Sequence, residues 1–303
     1  MEHHRLPVVA SLLAIGSGVV WSIGAVLSRS ATQADAFQYL LWRSVGLVAV
    51  IELLAARRRQ PFPTFRSWTS GRPMMVANIG LFLASLCFVY AVKTTTAANA
   101  AFLSSLTPLV ASVFARFMGE RLSRSTLVAL ATGVVGLTIT VFGDLEAGNM
   151  AGNVAALASS IGFSIYTLAV RSDLDRDWSP ALSGYGLLMI TVCSGITLLA
   201  GKPLVPPLTD TMYALVHGAV VIVVGTLMFN AGSRHVPAVP MTVFAQTEMV
   251  FVPVWALLIL HETPKALTLV GGAVTFAAVV GKAVYDTRIA APPPVPVPDV
   301  PLL

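Results

Sequence analysis

The chain has too few charged residues for a protein whose surface faces water. Only 11% of its 303 residues are Asp, Glu, Lys or Arg, whereas 56% are hydrophobic. A soluble domain carries about 25% charged residues, and here apolar stretches long enough to cross a bilayer follow one another along the chain. The composition therefore excludes a soluble domain and predicts an all-α polytopic membrane protein.

Groups that commonly bind metals, nucleotides or reactive intermediates are also scarce. The two cysteines, Cys87 and Cys193, lie in separate apolar stretches, with neither metal-ligand spacing nor a disulfide framework. The glycine-rich stretches lie inside apolar segments rather than between a strand and a helix, which excludes a phosphate-binding loop. We therefore predict that the chain is not an enzyme and that it holds no cofactor, no metal and no nucleic acid.

Ten apolar segments are predicted to be transmembrane helices joined by short connections. A helix rises about 1.5 Å per residue, so about 20 apolar residues cross a hydrocarbon core about 30 Å thick. The predicted segments are residues 6–27, 34–55, 73–92, 97–118, 126–142, 150–170, 180–200, 211–229, 237–260 and 266–285. The proline-rich tail, residues 287–303, is predicted to be disordered.

The positive charges concentrate on one side of the predicted bilayer. With the N-terminus inside, most of the 19 Lys and Arg residues fall in inner connections. Arg29, Lys93, Lys202 and Lys265 fall on the outer side, and Arg43 stays within the membrane. Because cytoplasmic loops are enriched in Lys and Arg, this bias predicts cytoplasmic N- and C-termini in a bacterial-type inner membrane. It also explains the basic pI of about 9.5.

A weak internal repeat divides the chain into two halves of five predicted helices. A shift of 142 residues places Arg29 on Arg171 and Glu120 on Glu262. Because five is odd, the second half must enter the membrane from the opposite face. Inverted repeats are a common architecture of secondary transporters, whose substrate site lies near the midplane between the halves. The predicted fold is therefore ten transmembrane helices in two inverted five-helix repeats.

Short motifs are spread through both halves. They are Trp21-Ser22, Trp42-Arg43-Ser44, Leu106-Thr107-Pro108, Gly119-Glu120-Arg121-Leu122, Asn230-Ala231, Glu248 fourteen residues before Glu262, and Gly271-Gly272. Together they resemble the drug/metabolite transporter superfamily, EamA type. The resemblance implies a first EamA-like repeat at residues 6–143 and a second at 150–286. The sequence departs from the family at Met249, where proline often follows the acid, and at His261, which replaces a glycine.

The resemblance implies a secondary active transporter that exports a small metabolite, such as an amino acid or related compound, by alternating access. A rival within transport is proton-coupled efflux of cationic drugs. A rival of another class is an intramembrane enzyme, which would need a base, and His217 is the sole histidine in a predicted segment. The predicted partners are a small-molecule substrate and the lipid bilayer, with protons as the candidate coupling ion and a monomer or homodimer as the candidate assembly.

Two charged residues inside predicted segments lead the list of site candidates. Glu248 lies at the middle of segment 237–260, and Arg43 lies within segment 34–55. A charge at that depth costs about 2.5–3.5 kcal/mol, so it faces protein or water and marks a functional site by default. Glu248 is a candidate for proton binding or for a cationic substrate group, and Arg43 for a carboxylate. The alternative is a structural ion pair between the two.

Five further residues are candidates for lining a cavity in the membrane. His217 has a side chain suited to proton exchange, although a lone membrane histidine more often hydrogen-bonds a neighbouring helix. Trp21 and Tyr166 belong to corresponding helices of the two repeats, so the pseudo-twofold axis is expected to bring both towards the centre. Asn99 and Tyr90 complete the set. The alternative for aromatic and amide side chains is plain helix packing.

Overall fold

The computed structural model describes residues 8–60, 62–117, 124–144, 150–173, 176–233 and 247–289, in which every regular element is helical. The elements are α1 (Val8–Ser30), α2 (Ala36–Arg57), α3 (Pro63–Thr69), α4 (Arg72–Thr94), α5 (Ala97–Ser104), α6 (Thr107–Phe117), α7 (Arg124–Asp144), α8 (Met150–Arg171), α9 (Pro180–Leu199), α10 (Leu208–Val216), a π-helical turn (His217–Ile222), α11 (Val223–Ser233), α12 (Thr247–Leu260) and α13 (Ala266–Ile289). Within these residues, seven helical spans are long and apolar enough to cross a membrane. The predicted all-α polytopic membrane protein is confirmed.

The helices follow the predicted segments with shifted ends. Segment 97–118 is divided into α5 and α6, and segment 211–229 consists of α10, the π turn and α11. Of segment 237–260, residues 247–260 form α12, and the preceding ten lie outside the described residues. The short helix α3 was not predicted. Helix α13 continues to Ile289 and so enters the tail predicted as disordered, the rest of which lies outside the described part of the chain.

A proline explains the division between α5 and α6. Pro108 has no amide hydrogen to donate to the carbonyl four residues back, that of Ser104. That carbonyl instead accepts from Thr107 Oγ1 at 2.8 Å and from Ser160 Oγ of α8 at 2.9 Å. Ser164 Oγ, one turn further along α8, donates to the carbonyl of Thr107 at 3.0 Å. The break therefore fastens α5 and α6 to α8.

The helix contacts occur in matched pairs that follow the internal repeat. Helix α4 packs on α8, and at the corresponding place α1 packs on α11. Likewise α1 packs on α12 as α5 and α6 pack on α8, and α2 packs on α10 as α4 packs on α9. Helices α2 and α9 correspond to each other in the two repeats and pack on each other. The corresponding helices α7 and α13 do the same. A pseudo-twofold axis between the halves produces this pattern, and it agrees with the predicted ten-helix fold of two inverted repeats.

Glycines allow the closest of these approaches. A Cβ on Gly136 of α7 would lie 2.8 Å from the carbonyl oxygen of Gly271, and one on Gly271 of α13 would lie 2.6 Å from that of Gly136. Any larger side chain at either position would force the backbones apart. The pair lies on two helices that correspond to each other in the two repeats, so it holds the halves together.

The helix ends define two faces of the bundle. The loop face comprises the connections at residues 31–35, 95–96, 200–207 and 261–265. The arginine face comprises residues 57–60, 62–72, 172–173 and 176–179, where Arg176 Nη1 donates to the carbonyl of Ser70 at 2.7 Å.

Candidate functional site

A buried arginine lies where the two repeats meet. Arg43 in α2 is 3% exposed, and its Nη2 donates to Ser85 Oγ of α4. Tyr185 of α9 lies beside the same serine. Arg43 Nε is buried and finds no hydrogen-bond partner among the described residues, and no described carboxylate forms an ion pair with the guanidinium. A buried guanidinium with so little compensation has hydrogen-bonding capacity left for an anion.

His217 opens the π turn and faces both α1 and α2. Its Nδ1 lies 2.9 Å from Tyr39 Oη, and both side chains are buried. A Cβ on Gly24 of α1 would collide with its Nε2. Lys93 Nζ of α4 lies 5.1 Å from the centroid of the Tyr39 ring, a cation–π contact. The imidazole therefore links helices of both repeats, one helical turn of α2 away from Arg43.

The π turn also brings α10 against the backbone of α2. A Cβ on Gly218 would collide with the carbonyl oxygen of Arg43, and a Cβ on Gly46 would lie 2.7 Å from the carbonyl oxygen of Leu215. Single π turns inside α-helices are frequent at functional sites, because the extra residue per turn re-aims the side chains that follow. Here the turn presses directly on the residue that carries the buried guanidinium.

A cavity of about 470 Å³ opens at the loop face. Its polar lining includes Arg29, Thr32, Asp35, Tyr90, Lys93 and Lys202. The volume is within the range of small-molecule sites. Of the predicted site residues, Tyr90 lines this cavity, with its ring 6.4 Å from that of Phe37. Lys93 connects the cavity to the buried pair of Tyr39 and His217, because its ammonium group lies over the ring of Tyr39.

The α1–α2 loop is held from two sides beside this cavity. Lys93 Nζ donates to the carbonyls of Ala31 at 2.5 Å and Ala34 at 2.8 Å. Asp210 Oδ2, from the first turn of α10, accepts from the amides of Gln33 at 2.8 Å and Ala34 at 2.6 Å. A cation and an anion from different repeats therefore form hydrogen bonds with the backbone carbonyl and amide groups of one loop.

An ion pair joins the two repeats at the loop face. Arg29 Nε lies 2.5 Å from Glu262 Oε1, and Arg29 Nη1 donates to the carbonyl of Val92 at 3.2 Å. Glu262 Oε2 accepts from the amide of Ala97, in the first turn of α5, at 3.4 Å. Glu262 lies between α12 and α13, yet it supports the first turn of a helix of the other repeat. The inverted arrangement causes this, because it places the end of α12 beside α1 and α5.

A second ion pair ties the α9–α10 loop to the start of α2. Lys202 Nζ lies 2.8 Å from Asp35 Oδ2, while Asp35 Oδ1 accepts from the amides of Phe37 and Gln38, both at 2.9 Å. Burial acts to raise the pKa of Asp35, but the hydrogen bonds from Lys202 and from these amides outweigh it. The pKa of Asp35 is therefore held below its ordinary value of 3.8.

Glu248 in α12 is half-buried, and its carboxylate makes no hydrogen bond or ion pair with any residue that the structure describes. The next residue, Met249, is buried against Ala98 and Phe102 of α5. The ion pair between Glu248 and Arg43, left open by the sequence, is thus not formed. The two intramembrane charges stand separately.

Asn99 lies in the first turn of α5 and is fully buried. Its Nδ2 is 3.5 Å from Thr95 Oγ1, which in turn donates to Asn153 Oδ1 of α8 at 3.1 Å. Asn99 Oδ1 has no partner among the described residues. This cluster joins the two repeats near the loop face, at a different place from Arg43.

Trp21 and Tyr166 lie in two separate helix pairs. Trp21 packs on α11, with its ring 5.4 Å from that of Phe229. Tyr166 lies 5.6 Å from the ring of Phe163 and packs with Met74 of α4 towards the arginine face. The inverted repeat explains the separation, because α1 on α11 and α8 on α4 are the corresponding pairs.

Sequence reasoning missed several residues that lie around Arg43, His217 and the loop-face cavity. They are Tyr39, Ser85, Lys93, Tyr185 and Asp210. Tyr39 had one available signal, since it lies four residues before Arg43 and so on the same helix face. The others lie on different helices, and no spacing in the sequence connects them with the arginine.

The profile of the EamA-like transporter family matches the chain twice, over residues 8–142 and 150–282. The chain belongs to the EamA-like transporter family. The resemblance to the drug/metabolite transporter superfamily is confirmed, and so are the membrane-embedded transport role and the small-molecule substrate that it implies.

Individual relatives of this EamA-like transporter are distant. The uncharacterized transporter YetK of Bacillus subtilis is 26% identical over 174 residues, which span 52% of this chain and about half of YetK, 51%. The pseudopaline exporter CntI of Pseudomonas aeruginosa is 24% identical over 268 residues, 86% of this chain and 91% of CntI. A solved protein structure shares the fold with a TM-score of 0.64 at 19% identity. The alignment covers 92% of this chain and 98% of the chain in that structure.

Proposed function

We propose that this transporter exports a small metabolite with a carboxylate group, such as an amino acid or related compound, by alternating access. The observation that supports this is Arg43, a buried guanidinium whose described partner is a neutral serine and whose Nε has none. An uncompensated charge at this depth costs about 2.5–3.5 kcal/mol. A substrate carboxylate offsets that cost and can take two parallel hydrogen bonds from the guanidinium fork.

The surroundings of Arg43 suit a site that both faces of the membrane reach in turn. Ser85, Tyr185 and His217 approach it from α4, α9 and the π turn, and these elements belong to both repeats. We propose that the halves rock about this point and that the loop-face cavity is the outer part of the pathway. The ion pair between Arg29 and Glu262 would then break each time the loop face opens.

The orientation and the direction of transport belong to the same proposal. The excess of arginine at the arginine face supports cytoplasmic N- and C-termini in a bacterial-type inner membrane. Export is supported by the name of CntI, an exporter that aligns over most of this chain. We propose that one chain is the transport unit, whether the protein is a monomer or a homodimer.

Glu248 is the proposed proton-coupling group. Its half-buried carboxylate has no described partner, so it is available to a proton or to a cationic substrate. If it couples protons, reconstituted Glu248→Gln protein will still exchange substrate but will no longer accumulate it in response to a pH gradient. If instead the variant loses transport of lipophilic cations while neutral substrates still move, the cationic-drug alternative is supported.

The test of the carboxylate proposal has two steps. A comparison of metabolites released by cells that lack and cells that overproduce the protein identifies the substrate. Proteoliposomes then measure exchange of that compound and of its amide, which lacks the negative charge. Wild-type protein and the exposed control Arg116→Gln should exchange the acid but not the amide, and Arg43→Gln should lose the acid. Equal exchange of acid and amide by the wild type would contradict the proposal.

A further inference from the structure

A cluster of arginines surrounds α3 on the arginine face. Arg57, Arg58 and Arg59 precede this helix, Arg66 lies within it and Arg72 follows it. Four of the five are exposed and Arg66 is half-buried. Their side chains form no ion pair and no hydrogen bond with a residue that the structure describes. The cluster therefore presents a concentrated positive charge, because the neighbouring carboxylate of Glu52 bonds Thr64 rather than an arginine.

Polar contacts hold one side of α3 against the bundle. Ser67 Oγ donates to Asn78 Oδ1 of α4 at 2.8 Å, and both residues are fully buried. A Cβ on Gly184 of α9 would collide with the Ser67 hydroxyl. The amide and hydroxyl of Thr64 both donate to Glu52 Oε1 of α2, the former at 2.9 Å. Helix α3 is thus fixed to three transmembrane helices and has a defined outward side.

The outward side of α3 is apolar. Phe62 is 70% exposed and Phe65 is 71% exposed. With Glu52, Thr64, Trp68 and Leu187 they line a cleft of about 710 Å³, in which the acidic residue Glu52 accepts a hydrogen bond from Thr64. Short helices that combine exposed aromatic residues with arginines lie in the membrane interface, where the aromatic rings enter the acyl region and the basic groups stay at headgroup level.

We propose that α3 and its five arginines form a binding site for an anionic phospholipid. The arginines hold the phosphate-bearing headgroup, and an acyl chain lies in the cleft beside Phe62 and Phe65. Charge complementarity indicates an anionic lipid as the ligand, because guanidinium groups bind phosphate with two hydrogen bonds and attract anionic lipids at short range. The proposal concerns a site remote from Arg43 and does not depend on the proposed substrate or direction of transport.

A plainer account of the same residues is that the arginines only orient the chain in the membrane. That account requires positive charge on this face but no preference for one lipid over another. The lipid-site account requires a selective interaction, to which each engaged arginine contributes about fivefold in affinity. The two accounts therefore differ in a measurable quantity.

Trp68 provides a reporter inside the proposed site. Full-length protein is reconstituted in phosphatidylcholine vesicles that contain, at equal mole fraction, either dibrominated phosphatidylglycerol or dibrominated phosphatidylcholine. Bromine quenches tryptophan at short range, and subtraction of the Trp68→Phe signal removes the other four of the five tryptophans. We expect phosphatidylglycerol to reach half-maximal quenching of Trp68 at a mole fraction at least about fivefold lower.

Charge variants decide whether the arginines cause the preference. The combined variant R58Q/R59Q/R66Q should lose it, and R58K/R59K/R66K should keep most of it. A matched control, R116Q/R124Q, removes two exposed arginines at the adjoining ends of α6 and α7 and should keep the preference. Equal quenching by the two lipids in the wild type, a measurement that needs no folded variant, would overturn the proposal. So would a preference that survives in R58Q/R59Q/R66Q.

Discussion

Replacement of Arg43 by glutamine is expected to change stability and binding in opposite directions. The guanidinium donates to Ser85, and its buried Nε lacks a described partner. Removing a charge from the membrane interior recovers about 2.5–3.5 kcal/mol. Losing a hydrogen bond from a charged group costs about 1.5–3 kcal/mol, so the substrate-free protein should gain about 0–2 kcal/mol. For a chain of this size the Tm should rise by up to about 4 °C.

Substrate binding should weaken strongly in the same variant. Truncating one partner of a buried, hydrogen-bonded charge pair typically costs about 2–5 kcal/mol, because the remaining charge is left without compensation. The Kd for the substrate acid should therefore increase by about 30- to 4,000-fold. The Kd for the corresponding amide should change much less, since the amide carries no charge to be paired.

Thermal unfolding of the purified protein, with and without the substrate acid, measures both effects. Arg43→Lys is the informative control, because it keeps the positive charge but loses the planar fork. It should retain part of the ligand-induced rise in Tm, whereas Arg43→Gln should lose it. If Arg43→Gln lowered the Tm of the substrate-free protein by several degrees and kept the ligand-induced rise, Arg43 would be a structural residue and the reasoning would be refuted.

Three further predictions concern helix contact, pH and the loop face. Gly218→Ala should lower the free energy of unfolding by about 1–3 kcal/mol, because the new Cβ collides with the backbone of α2. A Cβ at Gly195 would have no neighbour within 4 Å, so Gly195→Ala should be neutral or stabilising in thermal unfolding. An equal loss of stability in the two variants would contradict the packing argument. Asp35→Asn keeps the helix cap but loses the ion pair with Lys202, so the wild type should be more stable by up to about 1 kcal/mol. Because the folded pKa of Asp35 lies below its ordinary value of 3.8, this difference should be constant above about pH 5 and should shrink as the pH falls below about 4. A difference as large at about pH 3 as at about pH 6 would contradict it. Glu262→Gln should speed the labelling, by a membrane-impermeant thiol reagent, of a cysteine introduced into the loop-face cavity, because the repeats lose their ion pair there. An unchanged rate would show that this pair does not restrain the loop face.

The transmembrane architecture was largely predictable, and its interruptions were predictable only in part. Apolar length and the internal repeat indicated ten segments in two inverted halves. Pro108 marks the division between α5 and α6, since proline breaks the hydrogen-bond ladder whatever surrounds it. The π turn that begins at His217 left no such mark, because the extra residue is held by contact between Gly218 and the carbonyl of Arg43. Helix α3 was missed because seven residues are too few to show a helical period.

The candidate site was predictable as single residues but not as a set. A charge in an apolar segment is conspicuous, so Arg43 and Glu248 were found without a structure. Lys93 and Asp210 lie at helix ends, where charges usually report only topology, and nothing in their spacing showed that both bind the α1–α2 loop. Symmetry alone could not show that the ring of Trp21 packs on Phe229 of α11.

The order of the amino acids alone indicates that this chain lies in a membrane, how often it crosses and that its halves are inverted. These properties depend on local stretches of the chain, because the free energy of transferring a segment into lipid is set by its composition and length. Which of the rare polar groups meet became visible in the packed helices: Arg43 with Ser85, His217 with Tyr39, and Arg29 with Glu262. Each pair joins different helices, and the two partners of a pair come within hydrogen-bonding distance only where the packing of those helices brings them together.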